Sequence, residues 1–336
     1  MRIVIAPGAF KGTLSAREAA ALLASRHEGD DVTPLPMADG GDDTLEVMLG
    51  HGFTERTLPS GASVGERTQS DGTHTVLVEL ARIAGMRTLA SPDPWGASTH
   101  AVGVAMREVL ATRPHRLLVA LGGSASTDGG LGLLQGLVGA PDAGGLAGLR
   151  AFIVDNATPV DDVRRDLRSA GDLLAGVELV VLADVDSPLT GPTGAAHRFG
   201  PQKGLAPSDC TEADALLAQW ARAIGIDPAT PGTGAAGGTA ALLAALGATI
   251  APGGATVATL IGLPGAVAHA DLVLTGEGRL DATTLAGKSP AAVLAIAAAA
   301  GVPTRFIVGS ADPAVVAQLR DAGVEVVLVD EYRGHG

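Results

Sequence analysis

Residues 270–329 read ADLVLTGEGRLDATTLAGKSPAAVLAIAAAAGVPTRFIVGSADPAVVAQLRDAGVEVVLV, and their grammar decides the fold class. The apolar runs at 270–278, 305–309 and 324–329 are short and continuous, as expected of strands buried on both faces of a parallel sheet. Helices are predicted between them, from Ser289 to Ala300 and from Asp312 to Ala322. They begin Ser-Pro and Asp-Pro and stop at Gly301 and Gly323, which places an N-cap, an early proline and a terminal glycine where helix chemistry prefers them. Strands alternating with helices in this way spell an α/β sheet.

The same apolar signature opens the chain. RIVIAP at residues 2–7 reads as a buried strand, and Ser15 to Arg26 as a helix with Ser15 at the N-cap and Glu18 completing a capping box. The two chain ends are therefore expected to share one domain, made of residues 1–56 and 268–336. Between Thr54 and Ala81 the pattern changes to alternating Thr, Val and charged residues with Gly-Ala, Gly-Glu and Asp-Gly turns, which predicts antiparallel strands. Residues 57–267 are expected to form an inserted mixed α/β domain. It carries strands at 116–121 and 177–183 and helices ending at Val138, Ile224 and Leu246, while residues 140–176 show no clear period.

A length of 336 residues, 46% hydrophobic and only 2% aromatic, suits two cores packed with Ala, Val, Leu and Ile. A net charge of −13 argues against nucleic acid or an anionic membrane as partner, since both need a basic footprint. A single cysteine, Cys210, excludes an internal disulfide and a Cys-based metal site. No secretory signal is read at the start of the sequence and no apolar run is long enough to span a bilayer, so a soluble, cytoplasmic protein is expected. Of 23 basic residues only Lys11, Lys203 and Lys288 are lysines. Lysine is a compact point charge suited to phosphate oxygens, and all three stand beside glycine or a helix start, in FKG, QKG and GKSP.

Several segments could carry chemistry. GGSASTDGG (122–130) follows a predicted strand and precedes a helix, so Gly122, Gly123, Ser124, Asp128 and Gly129 could hold an anion with backbone amides and the helix N-terminus; a plain strand-to-helix turn is the simpler alternative. PGTGAAGG contains a GxGxxG spacing at Gly232, Gly234 and Gly237, but no strand precedes it, which leaves only an anion loop as a reading. ATTLAGKS (282–289) resembles a P-loop but has Ala282 where the first glycine is required; Lys288 at the helix start could still reach a phosphate. Carboxylates gather at predicted strand ends: Asp39, Asp42 and Asp43, then Asp184 and Asp186, then Glu277 and Asp281 beside Gly276. In open α/β sheets ligands bind at such ends, which makes these the metal-ligand and base candidates. An anion cradle, a cation, metal-holding carboxylates and a base are the parts phosphoryl transfer needs.

Six blocks, FKGTLSAREAA (10–20), PMADGGDDT (36–44), GGSASTDGG (122–130), the stretch 184–204 ending GPQKG, GTGAAGG (232–238) and LVLTGEGRLDATTLAGKSP (272–290), resemble in order the signature blocks of bacterial glycerate kinases. The resemblance implies a Rossmann-like parallel-sheet domain with an inserted mixed α/β domain. It implies ATP- and Mg2+-dependent phosphorylation of D-glycerate, typically to 2-phosphoglycerate. On this reading Lys11, Asp184, Lys203 and Lys288 are catalytic candidates. Gly122, Gly123, Ser124, Asp128, Gly129, Gly234, Gly237, Gly276 and Lys288 bind the nucleotide. Asp184, Glu277 and Asp281 hold the metal, and Lys11, Asp39 and Asp42 meet the substrate. The expected partners are ATP and a small molecule, with a homodimer left open. The family pattern is broken at Gly8 and Ala9 (usually Asp-Ser), at Asp42 and Asp43 (usually Glu-Gly), at Thr127 and Ser187 (each usually Asn) and at Thr283 (usually Gln). If Asp42 and Asp43 face the acceptor, their added acidity favours a neutral or phosphorylated polyol or cyclitol over glycerate. A degenerate, non-catalytic ligand-binding paralogue is the remaining alternative.

Overall fold

The computed structural model describes residues 1–155, 160–285 and 287–332. In chain order the strands are β1 (Arg2–Pro7), β2 (Asp31–Pro34), β3 (Thr54–Thr57), β4 (Ser63–Thr68), β5 (His74–Glu79), β6 (Arg116–Ala120), β7 (Glu178–Leu182), β8 (Thr249–Ala251), β9 (Leu272–Leu280), β10 (Thr304–Ala311) and β11 (Glu325–Leu328). The chain divides into two compact units. One comprises Met1–Asp39, Glu46–His51 and Pro252–Gly336, the other Gly40–Leu45 and Gly52–Ala251.

The first unit is an all-parallel sheet in the order β11-β10-β9-β1-β2. The central strand β9 lies between β1, in the register Ile3↔Leu272 to Pro7↔Gly276, and β10. Side chains alternate across a strand, and on β10 they feed two cores: Ile307 joins Ile3, Ile5, Leu23 and Leu274, while Phe306 and Val308 join Leu280, Val315 and Leu319. Burial on both faces explains the unbroken apolar runs. The helix Ala16–Ala24 carries the full capping box, with the Glu18 amide donating to Ser15 Oγ and the Ser15 amide to Glu18. Asp312 caps the helix Pro313–Asp321 through the Ala314 amide. The helix Ser289–Ala300 differs from expectation: Lys288 occupies its N-cap position and no side chain caps it.

The second unit is a mixed sheet in the order β3-β4-β5-β6-β7-β8, antiparallel from β3 to β5 and parallel from β5 to β8. Strand β3 bonds to β4, which draws residues 54–57 into this unit. At the other end the helix Gly253–Leu260 belongs to the first unit, where a Cβ on Gly254 would stand 3.0 Å from the Ser289 Cα. The division at 251/252 thus precedes the break expected at 267. The stretch without a readable period holds the helices Gly145–Val154 and Val160–Leu174. No helix among the described residues is long and apolar enough to cross a membrane.

Two helices that flank the β6 loop pack through glycine. A Cβ on Gly103, in His100–Leu110, would lie 2.1 Å from the Leu133 carbonyl oxygen, and one on Gly136, in Leu131–Val138, would lie 2.2 Å from that of His100. Backbone cannot yield as a flexible side chain can, so Gly103→Ala is expected to lower stability by about 1–3 kcal/mol. Gly171, with no heavy atom within 4 Å of its Cβ position, is the control: Gly171→Ala should raise stability by about 0.5–1 kcal/mol. Urea unfolding of both variants checks the pair, and equal effects would remove the packing argument.

Candidate functional site

In the first unit the carboxyl half of β9 sets the geometry. A Cβ on Gly276 would fall 1.9 Å from the Ile307 carbonyl oxygen, and one on Gly278 would fall 3.1 Å from the Lys11 amide, so both neighbouring chains approach the strand closely. The Gly8 amide continues the ladder to the Gly276 carbonyl at 2.8 Å. This brings Lys11, Glu277, Asp281 and Lys288 together. Burial pushes the Glu277 carboxyl above its usual range, against a Thr284 hydroxyl and the charges of Lys288 and Lys11, which favour its ionised form. Its Oε1 is buried with no hydrogen-bond partner among the described residues.

Asp281, just beyond the strand, accepts on Oδ1 from the Thr283 amide (2.9 Å) and hydroxyl (2.6 Å). These bonds hold its carboxyl below the usual range. The Lys288 ammonium donates to the same Thr283 hydroxyl at 2.7 Å, so Thr283 links a cation to a carboxylate. The ATTLAGKS stretch is therefore an irregular connection with a lysine at the helix start; Ala286 within it lies outside the described residues. Gly8, where the family pattern has Asp, leaves space beside Ser289, whose Oγ would be 3.1 Å from a Cβ there. Asp39, half-buried, follows the segment that bonds along the end of β1 through Leu35 and Met37.

In the second unit GGSASTDGG follows β6 as expected, but the helix behind it is not open to a ligand. Asp128, fully buried, accepts from the Thr99 amide (2.9 Å) and hydroxyl (2.7 Å) and from the amides of Gly130 (3.1 Å) and Gly132 (3.3 Å). The protein's own carboxylate thus fills the anion site at the N-terminus of Leu131–Val138. Gly129 donates to the Gly237 carbonyl and accepts from Trp220 Nε1. A Cβ on Gly237 would be 2.1 Å from the Ser126 oxygen, and one on Gly234 would be 2.2 Å from that of Pro188. Asp128, Gly129, Gly234 and Gly237, expected at the nucleotide, brace the loop through these hydrogen bonds and close backbone contacts. Gly122 donates to the Gly40 carbonyl, while Gly123 and Ser124 keep amides with no such bond among the described residues.

Lys203 lies beneath the same loop, buried, with its ammonium donating to the Ser126 carbonyl oxygen. Burial lowers its pKa to about 8. Asp184, half-buried, stands just past the end of β7. A Cβ on Gly123 would be 2.6 Å from Asp42 Oδ1, so the GGDDT turn rests on this loop. Arg87, which the sequence reading missed, pairs with Asp42 at 3.6 Å and Asp43 at 3.5 Å. Its place is set by the Met86 amide, which donates to the Gly123 carbonyl at 2.9 Å; nothing local in GMRTLAS signals this. Asp43 has φ 67°, a left-handed conformation in which glycine is most at ease and Asp is among the better tolerated alternatives, which accounts for the family's glycine there. Among the described residues no group of three or more His, Cys, Asp or Glu side chains is arranged to hold a metal.

Glu79, also missed, accepts from the amides of Asp43 (3.0 Å) and Leu45 (2.7 Å). Burial nevertheless pushes its carboxyl from 4.5 up to about 7. Between those values the folded state binds more protons than the unfolded chain, so stability is expected to fall as pH rises from about 4.5 to 7, by about 3 kcal/mol if the whole shift is realised. Denaturant unfolding across that range should show the slope in the wild type and lose it in Glu79→Gln. For the first unit, Lys288→Met is expected to cut turnover about 10²-fold or more without a matching loss of stability; an unchanged rate would remove Lys288 from the site.

The profile of the glycerate kinase family matches residues 3–330. A glycerate kinase of Bacillus subtilis strain 168 is 34% identical over 332 residues, covering 92% of this chain and 85% of that protein. The glycerate 2-kinase of Escherichia coli K12 is 32% identical with the same coverage of each. A crystal structure described as a glycerate kinase 2, from Salmonella typhimurium LT2, superposes with a TM-score of 0.71 at 31% identity over 98% of this chain and 90% of that one. With its signature blocks, its parallel and mixed sheets and these relatives in agreement, the chain belongs to the glycerate kinase family and is a small-molecule kinase.

Proposed function

We propose that the protein transfers the γ-phosphoryl group of ATP to a hydroxyl of D-glycerate, giving 2-phosphoglycerate, as a soluble cytoplasmic enzyme. The observation that carries the acceptor is the pairing of Arg87 with both Asp42 and Asp43. Acidity added to the GGDDT turn would repel a carboxylate substrate if it stood alone; a guanidinium shared between the two carboxylates offsets it. Glycerate is thereby favoured over a neutral polyol.

In the reaction the acceptor hydroxyl oxygen forms a bond to the γ-phosphorus while the bond from that phosphorus to the β,γ-bridging oxygen breaks. ADP leaves with the electron pair and the hydroxyl proton passes to a carboxylate, for which we assign Asp184. Within the first unit Lys11 and Lys288 are the candidates to bind phosphate, and the Lys288 ammonium donates to Thr283. Gly122, Gly123 and Ser124 offer the backbone of the β6 loop to an anion. Magnesium commonly binds through one or two carboxylates, with phosphate and water completing its shell, and the orphaned Glu277 Oε1 beside Asp281 suits such a role. Bound there, the ion would supply neutralisation of phosphate charge.

A coupled ADP-release assay over D-glycerate, L-glycerate, glycerol and a set of cyclitols tests the reading. D-glycerate is expected to turn over best, with phosphorus NMR showing the phosphate on the 2-hydroxyl. Turnover restricted to a neutral or phosphorylated polyol would overturn it.

A further inference from the structure

Beside the β6 loop, wholly within the second unit, lies a cavity of about 120 Å³. Its walls come from the segment 86–93, from Ala125 of the loop and from Gln202 and Lys203. The space is small, far below the several hundred Å³ of a pocket for a larger ligand. The lining is largely apolar, with Met86, Leu89 and Pro92 among its residues.

Lys203, one of the residues lining this cavity, has an ammonium with unused donors. A lysine ammonium has three N–H donors. That of Lys203 gives one to the Ser126 carbonyl oxygen, and the others meet no acceptor among the described residues. Buried polar groups are ordinarily hydrogen-bonded; the Asp128 carboxylate favours the charged form of Lys203 through space, but among the described residues it accepts none of its N–H groups. Asp93, the carboxylate on the cavity wall, is drawn away onto the Gly96 amide at 2.8 Å. At pH 7 a lysine with a pKa near 8 still carries its charge for most of the time. A site with small volume, apolar walls and a buried ammonium with spare donors is chemically matched to a small monocarboxylate.

We infer that this cavity seats the acid end of the acceptor, with the Lys203 ammonium binding the carboxylate and the apolar wall excluding larger acids. This rests on the acceptor reading above and adds a specificity-determining role for Lys203 and for segment 86–93. It also distinguishes Lys203 from a residue that merely braces Ser126, since a brace would act on the loop and hence on the nucleotide.

The test measures D-glycerate and MgATP affinities by calorimetry, and both KM values, for wild type, Lys203→Met and Leu89→Trp, with thermal unfolding as the check on folding. Lys203→Met is expected to weaken D-glycerate about tenfold or more while MgATP binding stays unchanged. Leu89→Trp, which narrows the cavity and leaves Lys203 unsubstituted, should raise the KM for D-glycerate alone and decides the matter if Lys203→Met does not fold. Wild-type affinity for D-glycerate in the folded variants, or a loss confined to MgATP, overturns the assignment. Absence of D-glycerate turnover in the wild type overturns the acceptor reading and this assignment with it, whereas wild-type turnover with unaffected variants overturns the assignment alone.

Discussion

The second unit is organised around one buried carboxylate. Asp128 receives four hydrogen bonds, from Thr99 twice and from Gly130 and Gly132. The Thr99 hydroxyl in turn accepts from the Leu133 amide. One side chain thereby joins the start of the helix His100–Leu110 to the start of Leu131–Val138 and fixes the loop between β6 and that second helix. Burial raises the carboxyl's pKa while each of these donors favours its ionised form. Leaving such a group buried with fewer partners is costly, so the loop has little freedom to take another shape.

With that anchor in place, the glycines around the loop acquire separate tasks. Gly129 and Gly237 let backbones meet under Trp220 and Ser126, Gly234 does so at Pro188, and Gly122 lies against Gly41. Bulk at any of these points would separate chains that exchange backbone hydrogen bonds. Gly123 and Gly122 are half-exposed, and Gly123 lies beside Asp42. A glycine-rich block is thus mostly a packing device.

Charge placement follows a similar economy. The chain is strongly acidic overall, yet in each unit a pair of neighbouring carboxylates has a cation against it. Lys11 and Lys288 act on Glu277, Lys288 reaches Asp281 through Thr283, and Arg87 lies between Asp42 and Asp43. The ion pairs of Arg87 are long and its side chain is 65% exposed, so they matter by cancelling local repulsion rather than by adding stability.

Much of this was determined by local sequence. Strand and helix identities at both chain ends followed from apolar runs and capping residues, because burial on two faces and helix-end hydrogen bonding are local demands: Ser15 with Glu18, and Asp312 with Ala314, do what their spacing predicts. The signature blocks carried the family, and the rarity of lysine singled out Lys11, Lys203 and Lys288. Tertiary structure alone decided which polar groups were already used. Asp128 and Gly129 look like an anion site in sequence, but Thr99 and Trp220, remote in the chain, consume them. The pairing of Arg87, the hydrogen bonds of Glu79 and the burial of Lys203 were equally illegible, since the groups around them lie on other elements. Sequence specifies which groups exist and what short-range structure they favour; hydrogen-bond saturation and desolvation depend on neighbours that only the folded chain brings together.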